Sequence, residues 1–251
     1  MINEDCHQEN ARARLCLKAP TRVFFSSVPK LPHSLQSTQE IVQQTDDGAA
    51  NDRLYESIDS YNSNVSAYVN RYANIDFGHY RNILIDSCST PPRLLVDLGC
   101  GPGRDVRAFA AILPRVIGLD LSEGLLGAAR QLAPEAYFVR ADLRNIPLRA
   151  GLADAVWSMA SFVHLTEADV WLALRDIRRI LRLHGCALIS VPLGSSAEWR
   201  DDKLGGRRWF NYFDPHRFTS MVEQSGLDIE WQHSGAGRIR GEWITVVARA
   251  C

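Results

Sequence analysis

Beyond Pro92 the chain alternates short apolar runs with stretches in which apolar residues recur every three or four positions. Runs at 93–97, 116–120, 136–140, 153–159, 186–191 and 227–232 read as strands, and 243–249, rich in Trp, Ile, Thr and Val, reads as a seventh. Helical spacing falls between them, at 104–112, 123–131, 167–182 and 215–225. The longest of these places Val170, Leu174, Ile177 and Leu181 on one face, with Arg175, Arg178, Arg179 and Arg182 on a solvated side. Strands that alternate with helices in this way predict a mostly parallel sheet with helices on both faces.

Before Pro92 the pattern changes twice. Residues 51–88 are helical, with Leu54, Ile58 and Tyr61 on one stripe and Val65, Tyr68 and Tyr72 on its continuation. Pro91-Pro92 closes that segment. Residues 1–50 are polar, carry Pro20, Pro29, Pro32 and Asp46-Asp47-Gly48, and read as a poorly ordered extension. The expected organisation is therefore an extension (1–50) and one domain (51–251). Within the domain, a helical cap at 51–90 precedes a core at 93–251, and the core carries an aromatic, arginine-rich insertion at 194–213.

Composition narrows the function classes. With 46% hydrophobic residues in 251, the chain can bury a sizeable core. Its formal net charge of −1 gives no electrostatic footprint for nucleic acid or an anionic membrane. Cys6, Cys16, Cys88, Cys100, Cys186 and Cys251 are scattered, without C-x-x-C pairs or zinc spacing, so neither a disulfide framework nor a metal site is expected. The absence of a long apolar run, with Glu4, Asp5 and Glu9 near the start, points to a reducing cytoplasm.

The candidate chemistry lies at the strand ends. The first apolar run finishes in Asp97-Leu98-Gly99-Cys100-Gly101-Pro102-Gly103, a tight turn without side chains that lets a ligand approach the backbone. The spacing is G-x-G-x-G, and Arg104 stands where the dinucleotide fingerprint has its third glycine. The second strand ends in Asp120, an acid able to accept both hydroxyls of a ribose. Its competing use, capping the next helix, can be filled by Ser122 instead.

These residues resemble the class I, Rossmann-like S-adenosylmethionine (SAM)-dependent methyltransferases, from about Tyr61 to the C-terminus. The resemblance implies a seven-stranded sheet whose last strand is antiparallel and inserted between the fifth and sixth. It also implies that Asp97 and the loop Gly99, Cys100, Gly101 and Gly103 lie against the methionine part of SAM. Asp120 and Leu121 would then hold the ribose and pack on the adenine, and Ala141, Asp142 and Leu143 would meet the adenine edge. Ser158, at the end of the fourth strand, and Tyr61, in a Tyr-seven-Tyr element with Tyr68, would also touch the cofactor. His164 is a candidate general base, since its unperturbed pKa lies near physiological pH. The family's Pro-Gly-Gly turn before the fifth strand is here Leu183-His184-Gly185, with one glycine kept. The resemblance implies methyl transfer to an O, N or C atom of a small molecule, a secondary metabolite among the candidates, in a pocket covered by the insertion at 194–213. The alternatives are a tRNA or rRNA methyltransferase, a nicotinamide-dependent oxidoreductase and a non-catalytic SAM-binding partner subunit.

Overall fold

The computed structural model describes residues 47–201, 205–237 and 241–251. The expected disorder of the N-terminal extension concerns residues that fall, up to 46, outside the described ones. The described residues open with three helices: α1 (Asp47–Ser63), α2 (Val65–Tyr72) and α3 (Gly78–Ser87). The two sequence stripes are thus separate helices, broken at Asn64, whose side-chain amide donates back to the Ser60 carbonyl (2.9 Å).

The core then runs β1 (Leu95–Leu98), α4 (Arg104–Ala110), β2 (Val116–Asp120), α5 (Glu123–Leu132), β3 (Tyr137–Arg140) and β4 (Ala153–Met159). A 3₁₀ turn (Phe162–His164), α6 (Glu167–Ile180) and β5 (Leu181–Pro192) follow. The last elements are β6 (Ala197–Asp201), β7 (Arg207–Asn211), α7 (Pro215–Gln224), β8 (Leu227–Ala236) and β9 (Glu242–Ala250).

Seven strands form one sheet in the order β3-β2-β1-β4-β5-β9-β8. β9 runs antiparallel to both its neighbours, β5 and β8, which is the expected Rossmann-like arrangement. The helices start where side chains can satisfy their first N–H groups: Ser122 caps α5, a Thr166–Asp169 capping box opens α6, and Asp214 followed by Pro215 opens α7. Buried faces on opposite sides of the sheet follow the period of two in β4. Val156 packs with Phe162, Leu174 and Ile177, whereas Trp157 packs with Phe109, Val106 and Leu84.

Two differences from the sequence reading have local causes. β5 begins at Leu181, but Ala153 pairs with Leu181 and Ala155 with Cys186, so residues 182–185 bulge out and regular pairing starts at the expected position. His184 accordingly has a φ of 64°. The insertion is also an antiparallel hairpin, β6–β7, with Trp199 opposite Trp209 and Arg200 opposite Arg208. No described helix is long and apolar enough to cross a membrane.

Candidate active site

Strand order reverses about β1, so the ends of β1, β2 and β4 open a crevice at the switch point. The three loop glycines, all at positive φ, serve different ends. A Cβ on Gly99 would lie 2.5 Å from the Cβ of Ser161, and one on Gly103 would lie 2.9 Å from that of Ala129. Both positions are therefore demanded by packing within the protein. A Cβ on Gly101 would meet nothing nearer than the Tyr68 ring at 4.0 Å, because this glycine faces a cavity. Backbone N–H groups of Gly99 and Cys100 donate to the Leu119 carbonyl (2.7 and 2.9 Å), fastening the loop to the end of β2.

Asp120 completes that fastening. Its carboxylate accepts from the Gly101 N–H (2.8 Å) and from the Ser122 N–H (2.8 Å). Burial raises its pKa, and these backbone donors oppose the rise. Asp97, only 2% exposed, is pushed well above the usual carboxylate range by burial and by the neighbouring Asp105, with Arg104 opposing. Asp142 is gripped by Arg144, whose Nη2 lies 2.6 Å from Oδ2 and whose Nε lies 3.0 Å from both oxygens. Arg144 also donates to Asn51 of α1 (2.6 Å) and lies 3.6 Å from Asp169 of α6, which locks the β3 loop to two helices.

Three cavities meet here. One of about 90 Å³ lies among Tyr61, Asp120, Leu121, Asp142, Leu143 and His164. A second, of about 180 Å³, lies between helix α2 and the hairpin, with Arg71, Tyr72, Arg200, Arg208, Phe210 and Tyr212 on its walls. The third, of about 610 Å³, runs past Asp97, Cys100, Arg104 and Trp157. Tyr68 and Ala160 line all three. Ala160 has a φ of 60°, unusual for a residue other than glycine, and sits where the cavities join.

Of the residues expected from sequence, Tyr61, Asp97, Gly99, Cys100, Gly101, Asp120, Leu121, Asp142, Leu143 and His164 line these cavities. Gly103, Ala141 and Ser158 do not. Ala141 donates its N–H to the Asp120 carbonyl (3.0 Å), and the fully buried Ser158 hydroxyl has no hydrogen-bond partner among the described residues. Sequence reading gave no role to Arg144 or Ala160, and it named Arg208 only as one of the insertion's arginines. The signal for Arg208 was available: Arg208, Phe210 and Tyr212 alternate at the period of a strand.

His164 is 8% exposed and both its ring nitrogens are engaged. Nδ1 bonds the Trp209 carbonyl, which can only accept, so Nδ1 carries the proton. Nε2 is then the acceptor for the Tyr61 hydroxyl at 2.8 Å. The Arg208 guanidinium lies over the Tyr61 ring, 4.7 Å from its centre, so one cluster joins β7, α1 and the 3₁₀ turn. Burial lowers the His164 pKa to about 4. The unfolded imidazole titrates near 6.5, so between pH 6.5 and pH 4 it binds a proton that the folded one refuses. Stability is therefore expected to fall by on the order of 3 kcal/mol across that window and to level off below it. Urea denaturation at pH 7, 5.5 and 4 checks this. His164→Gln is expected to flatten the slope, and an unchanged slope would contradict the assignment.

The fold and the acids at successive strand ends make a Rossmann-like sheet with a ligand crevice at its switch point. Residues 95–185 match the family model described as a methyltransferase domain. Malonyl-[acyl-carrier protein] O-methyltransferase of Serratia marcescens is 33% identical over 130 residues, 51% of this chain and 50% of that protein. Trans-aconitate 2-methyltransferase of Azoarcus sp. is 34% identical over 108 residues, 39% of this chain and 38% of that protein. Among solved structures, Burkholderia thailandensis 1,6-didemethyltoxoflavin-N1-methyltransferase superposes with a TM-score of 0.58 at 16% identity, covering 90% of this chain and 93% of the other. The chain spans about half or less of the length of the first curated relatives it matches. The segment 95–185 is thus similar to methyltransferase domains, and the solved structures share the fold of the chain. The residues present would fit S-adenosyl-L-methionine: Gly101 presents bare backbone to a cavity, and buried carboxylates stand at the ends of β1 and β2.

Proposed function

We propose that the chain transfers a methyl group from SAM to an O, N or C atom of a small molecule held in the cavity between α2 and the β6–β7 hairpin. The observation that carries this reading is the meeting of that cavity with two others, beside the glycine loop, at Tyr68 and Ala160. SAM supplies an electrophilic sulfonium methyl group. Asp97, Gly99, Cys100 and Gly101 would seat its methionine end and Asp120 its ribose. Asp142, Leu143 and Leu121 would enclose the adenine, with Tyr61 completing the wall. The small, bare side chain of Ala160 would leave the passage between donor and acceptor open.

His164 enters this reading as a positioning residue. Held neutral by burial and bonded at both nitrogens, it fixes Tyr61 and through it Arg208. Rate enhancement would come mainly from holding donor and acceptor in line and excluding water. The names of proteins similar to this one give malonyl-[acyl-carrier protein], trans-aconitate and 1,6-didemethyltoxoflavin as acceptors, which supports a small molecule or a small group on a carrier. The test is turnover of methyl-labelled SAM with a library of small acids, phenols and amines. Label transfer to a library member supports the reading; label transfer only to RNA would replace it with the nucleic-acid alternative.

A further inference from the structure

We propose that Cys88 and Cys186 are a thiol pair that a small disulfide, such as oxidised glutathione, converts into an internal disulfide bracing the domain. Cys88 caps the C-terminal end of α3, and Cys186 lies in β5. Far apart in sequence, the two meet at one helix end. The Cys186 thiol donates to the Ser87 carbonyl (3.3 Å), and the Cys88 thiol donates to the Leu84 carbonyl of the same last turn (3.3 Å). Ser87 immediately precedes Cys88, so planar peptide geometry puts the Cys186 sulfur within about 6 Å of the Cys88 Cα. A disulfide joins Cα atoms about 4.4–6.8 Å apart, a separation that this arrangement approaches.

The surroundings favour exchange. Arg249 donates to the Ser87 carbonyl (2.7 Å) and the His184 carbonyl (2.9 Å), with Glu230 as its partner (2.7 Å), and its charge favours a thiolate on either sulfur. The neighbouring Cys88 lowers the pKa of Cys186 against the effect of burial, while Cys186 and burial raise that of Cys88. Cys186 is fully buried, whereas Cys88 is partly open to solvent.

This difference in access sets the order of steps. The Cys88 thiolate attacks one sulfur of oxidised glutathione, forming a mixed disulfide and releasing one glutathione thiolate. The Cys186 thiolate then attacks the Cys88 sulfur, forming the internal S–S bond and expelling the second glutathione. Two protein thiols are oxidised, one glutathione disulfide is reduced, and the two thiol protons end on the two glutathiones. The new bond closes a loop that holds β1 to β4 and the acids Asp97, Asp120 and Asp142. Closing so long a loop removes freedom from the unfolded chain, so the oxidised domain is expected to melt several degrees higher.

The experiment treats the reduced full chain with oxidised glutathione at neutral pH without denaturant. Remaining thiols are alkylated and tryptic peptides are mapped by mass spectrometry, with thermal melts alongside. Cys88 falls in peptide 82–93 and Cys186 in peptide 183–200, each without another cysteine. The two peptides are expected joined, lighter than their sum by two hydrogen atoms, and parted again by dithiothreitol. In Cys186→Ser the link is expected to be lost and glutathione to stay on Cys88. In Cys88→Ser neither a link nor an adduct is expected at Cys186. Alkylation of both cysteines, a glutathione adduct on Cys88 of the unaltered chain without the link, or links to Cys6, Cys16, Cys100 or Cys251 instead overturns the proposal. So does a linked chain that melts no higher than the reduced one.

Discussion

Gly101→Val is expected to abolish S-adenosylhomocysteine binding while leaving the chain folded. The backbone at Gly101 has a φ of 53°, so a β-branched side chain there carries about 1–3 kcal/mol of strain. In a domain of this size that lowers the melting temperature by several degrees. No protein atom stands within 4 Å of the added Cβ except the Tyr68 ring at that limit, so the new methyl groups enter the cavity instead of the core. They occupy the space in which the cofactor must approach the backbone. Gly99→Ala provides the contrast, because its Cβ would meet the Ser161 Cβ at 2.5 Å and displace the loop after β4. That variant is expected to lose stability as well as binding. Thermal melts beside calorimetry separate the two: a folded Gly101→Val that still binds at wild-type affinity contradicts the assignment of this cavity.

Asp120→Asn is expected to weaken S-adenosylhomocysteine binding by about a hundredfold. The carboxylate accepts from two backbone N–H groups, and in the variant an amide NH₂ must face one of them, donor against donor. A buried donor left without a partner costs about 1–3 kcal/mol, and the charge-assisted bonds a carboxylate can offer to ribose hydroxyls are lost in addition. The pinned conformation of the Gly99–Gly101 loop loosens at the same time, so Asp120 acts both as ligand contact and as organiser of the loop. Calorimetry gives the affinity. Adenosine, which has the ribose but lacks the amino-acid end, should lose affinity in similar proportion; a normal response to adenosine would place the ribose elsewhere.

The sequence disclosed what depends on neighbours along the chain. Strands 116–120 and 153–159 coincide with β2 and β4, because each is a short, mostly apolar run closed by a turn. The acids of the site were visible because the fold brings parallel strand ends to one edge, which makes position within each strand informative. What stayed hidden depends on distant partners. His164 reads as a free imidazole until Tyr61, 103 residues away, is seen to occupy Nε2. Arg144 reads as a loop cation, yet it clamps Asp142 to α1 and α6. The hairpin escaped notice because its five-residue strands carry charges on both faces, so the alternation that marks a half-buried strand is weak.

The most direct test of the account is isothermal calorimetry of the purified chain with SAM and with S-adenosylhomocysteine. The account predicts binding of both at one site per chain, with the affinity lost in Gly101→Val. Failure of the folded chain to bind either ligand would contradict it.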